Sequence, residues 1–561
     1  MAGELDYNHH FASDRRLKYG PWQAFERCLA RLLQHGGFND VTVVGGSGDL
    51  GADIVATRGN KRYVIQAKYR SNGSIGKTAV IESFRALQEY DADVCVTATN
   101  QHFSRDAIKY NQGKRDLGYD AMLWDRAKIL EMGSQIPSVS EHRREPRPYQ
   151  LTAIGSIFNA IDRGEKSGLI TLATGLGKTI VASSLISDFL TEKPKANVLM
   201  LAHMSDLVRQ LDTASWAQLE KHVDTHVWTD GEKPAFREGV IFATWQSLVS
   251  ALNNGEIPKK YFDLVIVDEC HHAPSQSFST LLNELAPGFL LGVTATPWRS
   301  DNSSLRDLFG DPLFSMNVVE GMQKGFLSQV DYTMFIDDID WDQISYLSRH
   351  GHTVKDLNQL LYVPERDLGM VQEIVTTIKN TIEPRVLVFC RSIRHAERIL
   401  SYFRRFDVQT SILHSRLGRP QRFKALSNFR TGRITVLISI EMLNEGIDVP
   451  EVNIVCFARV THSRRIFLQQ LGRGLRISDG KKAVKVLDFV ADIRRVAAGI
   501  ELNSEAARRR AEEDVSYQDG EIVKFSNDVS SFFDHYLNDM ANISDLDESA
   551  RLQFPNQQEE F

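Results

Sequence analysis

The sequence has few cysteines, no long apolar run and no excess of positive charge. Its five cysteines are scattered over 561 residues without the spacing of a metal site, and such an odd, sparse set is typical of free thiols in a reducing compartment. No stretch approaches the roughly 18 apolar residues of a membrane-spanning helix. The N-terminus has no basic region followed by an apolar one. These absences predict a cytoplasmic protein without membrane association.

The overall charge and composition limit the possible classes of function. The net charge is −6, which excludes a globally basic nucleic-acid-binding protein, so any contact with nucleic acid must depend on local basic patches. Hydrophobic residues make up 42% and charged residues 25% of the chain, as is ordinary for globular domains. A chain of this length predicts three or four domains of roughly 150 residues each.

The strongest local pattern is an apolar run, a glycine-containing turn and a helical run within residues 169–184. A strand, a glycine turn and a helix N-terminus together form a cradle for phosphate. Lys178 would reach the β- and γ-phosphates of a nucleotide, and the Thr179 hydroxyl would ligate Mg²⁺. The strict pattern has glycine where this chain has Leu172, so the motif is a variant. The predicted nucleotide-binding residues of this turn are Thr174, Gly175, Gly177, Lys178 and Thr179.

A second strong pattern is the apolar run 262–267, which is typical of a buried parallel strand. It ends at Asp268 and Glu269, where open α/β sheets place their ligand sites. We expect Asp268 to hold Mg²⁺ and Glu269 to polarise the water that attacks ATP. The alternative is a zinc site formed by Cys270, His271 and His272. The spacing does not fit zinc and no fourth ligand is apparent.

Acidic, amide and basic residues also occur together near the N-terminus, on two predicted strands joined by a short turn. Asp53 begins one strand, and Gln66 and Lys68 lie on the same face of the next. A carboxylate and a carbonyl oxygen hold divalent metals, and a lysine can orient or activate the water that cleaves a phosphodiester. The alternative is a surface hairpin with ordinary charges.

The wider N-terminal pattern resembles the Mrr-like branch of the PD-(D/E)xK nucleases. The resemblance rests on Phe25-Glu26, residues 29–33, Gly37-Phe38, residues 48–53 and Gln66-Ala67-Lys68. It implies that Glu26, Asp53 and Gln66 surround Mg²⁺ or Mn²⁺, and that Lys68 is catalytic. Gln66 stands where many relatives have glutamate, and a neutral amide is a weaker ligand for such cations. The alternative is a degenerate nuclease domain that only grips DNA.

Two strand-and-helix patterns in the middle of the chain predict contacts with a nucleic-acid backbone. Strand 197–203 leads into a helix that starts near Asp206, and strand 240–244 leads to Ser247. Hydroxyls such as those of Thr244 and Ser247 can donate hydrogen bonds to phosphate. The alternative is that both are ordinary strand ends and helix caps.

Residues 150–476 resemble the motor of superfamily 2 DEAD/DEAH-type helicases, in the branch of restriction-enzyme motors and XPB-like translocases. The motifs are Arg147-Pro148-Tyr149-Gln150, the turn at Lys178, Asp268-Glu269-Cys270-His271, Thr294-Ala295-Thr296, residues 445–450 and residues 470–476. The resemblance implies that Gln150 reads adenine and that Gly446 and Asp448 bind nucleotide. Arg473 and Arg476 lie three apart on one predicted helix face and would reach the γ-phosphate from the other motor domain.

These patterns predict an α/β protein with a restriction-endonuclease-like domain, two tandem RecA-like parallel-sheet domains and a mostly helical tail. The predicted boundaries are 1–133 for the nuclease domain, 134–146 for a linker, 147–335 for the first motor domain, 336–382 for a connector, 383–498 for the second motor domain and 499–561 for an acidic, partly disordered tail.

The function that follows is an ATP-driven DNA helicase or translocase with a fused, metal-dependent endonuclease. We expect duplex DNA and a target-selecting protein as partners, ATP and Mg²⁺ (or Mn²⁺ at the nuclease site) as cofactors, and restriction of foreign DNA such as that of phages as the purpose. Three alternatives stay open: a repair enzyme for branched DNA, a motor whose nuclease domain only grips DNA, and an RNA helicase.

Overall fold

The computed structural model describes residues 10–44, 51–272, 276–295, 302–335, 366–390, 392–440, 452–458, 483–489 and 523–525. These residues fall into two compact units. The first unit holds most of the described residues up to Ser315, and the second holds most of those that follow. None of the helices in the described part of the chain is long and apolar enough to cross a membrane.

The N-terminal domain is a mixed five-stranded sheet with helices packed on it. Its helices are α1 (Asp14–Tyr19), α2 (Trp22–His35), α3 (Lys77–Glu89), α4 (Arg105–Asp116) and α5 (Arg126–Gln135). Its strands are β1 (Asn39–Val43), β2 (Ile54–Arg58), β3 (Lys61–Lys68), β4 (Ser74–Ile75), β5 (Val94–Thr99), β6 (His102–Phe103) and β7 (Asp120–Trp124). The sheet order is β1-β2-β3-β5-β7, while β4 and β6 form a separate pair. Strands β1 to β3 are antiparallel, and β3, β5 and β7 are parallel.

Local sequence explains why α2 and the β2–β3 hairpin form. The apolar residues of α2 recur at helical spacing, and Phe25, Leu29 and Leu33 are all buried in the domain core. Gly59 and Asn60 make the two-residue turn between β2 and β3, where Gly59 has a φ of 58°. The predicted hairpin is therefore confirmed.

The first motor domain is a sheet whose paired strands run in parallel, with helices along it. Its elements are α6 (Pro148–Asp162), β8 (Ser167–Leu172), α7 (Lys178–Glu192), β9 (Val198–Ala202), α8 (Ser205–Ser215), β10 (Thr225–Trp228), β11 (Val240–Thr244), α9 (Trp245–Asn253), β12 (Leu264–Asp268), α10 (Gln276–Leu285), β13 (Phe289–Thr294), α11 (Asn302–Phe309) and β14 (Pro312–Met316). Helix α12 (Val318–Gln323) follows and belongs to the second unit. The order is β10-β11-β9-β12-β13-β8-β14. Strands β9 and β13 flank β12, so the carboxyl end of β12 opens at the middle of the sheet.

The second motor domain contains a parallel sheet of seven strands. They are β15 (Gln329–Met334), β16 (Val386–Phe389), β17 (Thr410–Leu413), β18 (Val436–Ser439), β19 (Ile454–Phe457), β20 (Ala483–Asp488) and β21 (Val523–Phe525), in the order β17-β18-β16-β19-β20-β15-β21. The helices are Arg366–Lys379, Ile393–Arg405 and Arg419–Arg430. The predicted α/β class, with a nuclease-like domain ahead of RecA-like sheets, is confirmed.

Two strands belong to a different domain from the one that the predicted boundaries gave them. Strand β15 lies before the predicted boundary at 335, yet it pairs with β20 in the second sheet. Its backbone groups are satisfied there because β20 lies on one side and β21 on the other. The described part of the tail, β21, is a strand, whereas the sequence predicted a mostly helical tail.

The predicted linker 134–146 is held by both neighbouring domains. Helix α5 continues to Gln135, and beyond it the Lys221 backbone N–H donates to the Ser138 carbonyl at 2.7 Å. The Arg144 N–H donates to Gln218 Oε1 at 2.8 Å, and His142 Nε2 lies 2.9 Å from the Phe38 carbonyl oxygen. The segment therefore joins the nuclease domain to the first motor domain through specific hydrogen bonds.

Two buried histidines lie where the nuclease domain meets the first motor domain. His35 Nε2 is 3.2 Å from the Trp216 carbonyl oxygen, and His226 Nε2 is 3.2 Å from Arg16 Nη1. Burial lowers the pKa of His35 to about 3 and that of His226 to about 4, and nearby arginines act in the same direction. Both rings are therefore neutral in the folded protein at physiological pH.

We expect acid to weaken this contact between the domains. Above the ordinary histidine pKa of 6.5 the two rings are neutral in both states and add no pH dependence. Below it, the unfolded chain binds protons that the folded protein does not, so the free energy of unfolding falls by about 1.4 kcal/mol per pH unit for each ring until the folded pKa is reached. Chemical unfolding between about pH 7 and about pH 5 measures this slope. His35→Gln should reduce it, and His102→Gln, at an exposed position, should leave it unchanged.

Candidate functional site

The predicted phosphate cradle connects β8 to α7. The backbones of Gly175 and Gly177 have φ values of 93° and 79°, in the left-handed region that favours glycine. Helix α7 begins at Lys178, so its first N–H groups face the turn. Leu172 is fully buried as the last residue of β8. This burial explains the departure from the strict pattern, because the strand continues through the position where glycine is usual.

The structure brings Gln150 to this turn. Gln150 is buried in the first turn of α6, and its Oε1 accepts a hydrogen bond from the Arg147 N–H at 2.8 Å. Its Nε2 lies so close to Gly177 that a Cβ built there would be 2.5 Å away. The adenine-reading role stays a prediction, but the predicted amide and the predicted turn are neighbours.

Gly177→Ala should weaken nucleotide binding at least tenfold. The added methyl group would meet Gln150 Nε2, and a left-handed backbone costs roughly 1–2 kcal/mol for alanine. Binding of a fluorescent ATP analogue measures the effect. Gly164→Ala is the matched control, because Gly164 has the same φ of 79° with open space around it. Equal loss of nucleotide affinity in both variants would show that strain alone is responsible.

Glu269, directly after β12, forms a connected polar cluster with the predicted cradle. Lys178 Nζ lies 2.6 Å from Glu269 Oε1. His271 Nδ1 lies 3.3 Å from Glu269 Oε2 and 3.0 Å from Thr294 Oγ1 at the end of β13. Asp268 is the last residue of β12. The cradle lysine, the predicted water-polarising carboxylate and the Thr294 motif are thus joined by direct contacts.

Glu269 is held ionised in an unusual backbone conformation. Burial alone would raise the pKa of its carboxyl group, but Lys178 and His271 outweigh burial and hold that pKa well below its usual range. Its φ is 47°, which is left-handed for a residue with a side chain. Such strain persists only where the surroundings fix it, and it is common at functional sites. The arrangement presents an ionised carboxylate beside the predicted phosphate cradle.

The zinc alternative at residues 270–272 has no support in the described residues. Cys270 is buried in the apolar core between β12 and the neighbouring helices, and burial raises the pKa of its thiol. Within the described ranges, no group of three His, Cys, Asp or Glu side chains is arranged to hold a metal. Cys270 is therefore a core residue, and all five cysteines of the chain are free thiols.

Four predicted residues of the second motor domain lie outside the described residues. They are Gly446, Asp448, Arg473 and Arg476. Thr174 and Thr179 lie in the described turn and first helical turn after β8, and their roles stay predictions.

A second polar cluster lies on the sheet of the N-terminal domain. Asp53, just ahead of β2, is buried, and its Oδ2 accepts hydrogen bonds from Gln66 Nε2 at 2.5 Å and from the Ala67 backbone N–H at 2.7 Å. Because β2 and β3 pair at Ile54 and Ile65, the carboxylate and the amide lie side by side. The structure thus joins two residues that the sequence predicted as metal ligands.

The chemistry of this cluster fits a divalent cation. Gln66 Oε1 is buried and has no hydrogen-bond partner among the described residues. A buried amide oxygen without a donor is costly, and a hard cation beside the Asp53 carboxylate would satisfy it. Glu26, the third predicted ligand, is buried on α2, which packs on β1, β2 and β3. Its place in the ligand set stays a prediction.

Sequence reasoning missed the partner of Lys68. Lys68 Nζ lies 2.6 Å from Glu82 Oε2 on α3. The backbone carbonyl of Glu82 is 2.4 Å from a Cβ built on Gly51, so α3 reaches the cluster because residue 51 has no side chain. Lys68 lies on a strand and Glu82, 14 residues later, lies on a helix. Because the two residues belong to no common local pattern, their spacing could not have predicted the contact.

Three family models match successive parts of the chain. The model described as restriction endonuclease matches residues 17–133. The model described as type III restriction enzyme, res subunit, matches residues 143–299. The model described as helicase conserved C-terminal domain matches residues 368–478. These matches cover both clusters described above.

Known relatives include restriction enzymes and a translocase. The endonuclease subunit of the type I restriction enzyme EcoAI from Escherichia coli is 27% identical over 67% of this chain and 50% of that protein. The DNA 3′-5′ translocase XPB2 of Sulfurisphaera tokodaii is 25% identical over 60% of this chain and 79% of that protein. The chain thus spans about half the length of the Escherichia coli subunit.

One solved structure resembles nearly the whole fold. The ATP-dependent type ISP restriction-modification enzyme LlaBIII bound to DNA has a TM-score of 0.54 and 16% identity. The similarity covers 90% of this chain and 40% of that chain. At 16% identity, this similarity concerns the fold alone.

Proposed function

We propose that this protein, a superfamily 2 helicase fused to an Mrr-like restriction endonuclease domain, uses ATP to move along duplex DNA and cuts that DNA, thereby restricting foreign DNA such as phage genomes. Family models and a relative with restriction names, together with a helicase model and a translocase relative, support this proposal. Its site of action would be the cytoplasm, in keeping with five free thiols. A separate protein would select the target, since the Escherichia coli relative is named as one subunit of a restriction enzyme.

The motor residues would act on ATP through charge and position. The turn between β8 and α7 would bind the phosphates with backbone N–H groups, and Lys178 would neutralise their charge. Glu269, already ionised, would orient the attacking water. Thr179 and Asp268 would hold Mg²⁺. His271 connects Glu269 to Thr294 on the neighbouring strand, so a change in nucleotide state at Glu269 would reach the edge of the sheet that carries the predicted DNA contacts.

The nuclease residues would act on a phosphodiester beside β2 and β3. Asp53 and Gln66, with Glu26, would hold Mg²⁺ or Mn²⁺. A bound divalent ion supplies charge stabilisation for the phosphoryl transition state and lowers the pKa of a water. Gln66 Nε2 fixes the Asp53 carboxylate, and Lys68 would orient the water, held in turn by Glu82.

The observation that carries the proposal is that both clusters occur in the same compact unit. Asp53 and Gln66 touch in the nuclease domain, Lys178 and Glu269 touch in the first motor domain, and both pairs belong to the first unit. A domain used only to grip DNA would have no need for a carboxylate fixed beside a buried, unsatisfied amide oxygen.

The test is cutting of defined DNA by the purified full chain with Mg²⁺, with and without ATP. Unmodified linear phage DNA and a forked duplex of the same sequence are offered together, and ATP hydrolysis is followed in the same samples. ATP-dependent loss of the linear DNA supports restriction. Preferential cutting of forks would instead support the repair alternative, and ATPase stimulated by RNA but not by DNA would support an RNA helicase.

A further inference from the structure

The nuclease domain and the first motor domain share a buried cluster of charged side chains. Arg27 of α2 donates to Glu232 through both terminal nitrogens, with Nη1–Oε2 at 2.9 Å and Nη2–Oε1 at 2.6 Å. Its Nε lies 3.2 Å from Asp212 Oδ2 on α8. The side chains of Glu232 and Asp212 are 1% and 0% exposed. We name these three residues the Arg27 cluster.

On the nuclease side, the cluster includes a residue of α2, the helix that also carries the predicted metal ligand Glu26. Arg27 follows Glu26 directly in α2. Phe25, on the other side of Glu26, packs its ring 6.1 Å from that of Tyr69, which follows Lys68. One turn further along, Arg31 donates to the Val223 and Glu220 carbonyls of the motor domain. Because Arg27 and Arg31 both belong to α2, their contacts with the motor domain act directly on the helix that carries Glu26.

On the motor side, the cluster continues to the predicted DNA contacts. Glu232 Oε2 also lies 3.5 Å from Arg209 Nη1 on α8. At the start of α8, Ser205 Oγ lies 2.9 Å from Thr229 Oγ1. Thr229 in turn lies 3.3 Å from Thr244 Oγ1. Helix α8 and Thr244 are the elements whose sequence predicts contact with a nucleic-acid backbone.

The contacts that Arg27 makes with Glu232 and with Asp212 of α8 are buried, whereas Arg209 is 38% exposed. A guanidinium that meets a carboxylate with two parallel N–H groups has a fixed orientation, which a lysine cannot reproduce. Burial makes the contact intolerant of a missing partner. A shift of α8 on binding DNA would thus be carried to α2 rather than absorbed by water or by mobile side chains.

We propose that Arg27 is a positioning residue that couples DNA engagement at α8 to the metal-holding geometry of the nuclease site. This inference rests on the proposed nuclease function and on Glu26 as a ligand. Because coupling between binding sites is reciprocal, DNA on the motor strengthens divalent-metal binding at Asp53, Gln66 and Glu26, and the metal strengthens DNA binding by the same factor. Typical coupling factors are about 5–150-fold.

A second ion pair across the same contact provides the matched control. Arg16 Nη2 lies 2.6 Å from Asp224 Oδ2, and both side chains are mostly buried. Arg16 belongs to α1, not to α2. Loss of this pair weakens the contact between the domains without releasing the helix that carries Glu26.

The experiment compares the full-length wild type with Arg27→Lys, Glu232→Gln and Arg16→Lys. The first readout is the Mn²⁺ concentration for half-maximal DNA cutting, together with DNA-stimulated ATPase. Arg27→Lys and Glu232→Gln should each need about tenfold or more Mn²⁺, recover most of the cutting rate at saturating Mn²⁺, and keep ATPase within about twofold. Arg16→Lys should match the wild type in both assays. A purely structural contact would instead change the two arginine variants alike.

The second readout does not require cutting. Mn²⁺ binding to nucleotide-free protein is followed by electron paramagnetic resonance with and without DNA. Comparison with Asp53→Ala shows how much of the bound Mn²⁺ occupies the nuclease site. DNA should tighten that site in the wild type and in Arg16→Lys, but not in Arg27→Lys. Equal tightening in all three proteins would overturn the coupling, even if the nuclease is active. A wild type that binds Mn²⁺ in this coupled way yet never cuts DNA would overturn the proposed function and leave the coupling standing.

Discussion

Replacing Lys178 with alanine should lower DNA-stimulated ATP hydrolysis at least a hundredfold, which corresponds to about 2.7 kcal/mol of transition-state stabilisation. The variant loses the cation that neutralises the phosphates, and it leaves Glu269 with a buried charge whose main partner is gone. ATP-dependent DNA cutting should disappear with it. The measurement is phosphate release with and without duplex DNA.

The control for Lys178 lies just past the other end of the same helix. Lys193 follows the last residue of α7, is exposed, and has its ammonium 4.8 Å from the centre of the Phe189 ring. Lys193→Ala removes an equal charge from the other end of the helix and should keep ATPase within about twofold. More than a tenth of wild-type activity in Lys178→Ala would contradict the assigned cradle.

Asp53→Asn should abolish DNA cutting, by roughly a thousandfold, while DNA-stimulated ATPase stays within about twofold of the wild type. The substitution preserves shape but removes the negative charge that a divalent cation requires, and loss of several kcal/mol of stabilisation corresponds to this factor. It also changes the acceptor of the hydrogen bonds from Gln66 and Ala67. Supercoiled and linear DNA with ATP and Mg²⁺ serve as substrates.

An exposed aspartate in the same domain provides the comparison. Asp106 lies in the first turn of α4, on the surface, and Asp106→Asn should cut DNA at the wild-type rate. If Asp53→Asn cuts as fast as Asp106→Asn, the nuclease assignment fails and the N-terminal domain only grips DNA. If ATPase falls together with cutting, Asp53 acts on the motor rather than on a phosphodiester.

The sequence predicted those parts of the site that lie within one strand, turn or helix start. The turn before Lys178 and the carboxylates after β12 each belong to a short continuous motif, and a buried parallel strand fixes where its end will lie. Asp53 and Gln66 were predicted together because a two-residue turn sets the pairing of β2 with β3. In each case, residues close together in the sequence were enough to predict the arrangement.

Contacts that depend on packing between distant segments could not be predicted. Glu82 reaches Lys68 only because α3 lies against the sheet at Gly51, and Arg27 meets Glu232 across 205 residues of sequence. A charged residue on a helix is solvated in most proteins, so its pattern predicts exposure rather than burial. The hydrogen bonds of the 134–146 segment escaped prediction for the same reason, since prolines and polar residues are equally typical of a free spacer.

The pairing of β15 has a consequence for how the chain is synthesised. Gln329–Met334 has its neighbours in Ala483–Asp488 and Val523–Phe525, so the ribosome must add about 150 more residues before the first of them emerges. At roughly 5–20 residues per second this delay lasts on the order of ten to thirty seconds, during which the strand exposes unpaired backbone groups that favour aggregation. The nuclease domain and the first motor domain can fold in the meantime. The nascent chain would therefore have a completed N-terminal half while the second sheet still lacks the two strands that flank β15.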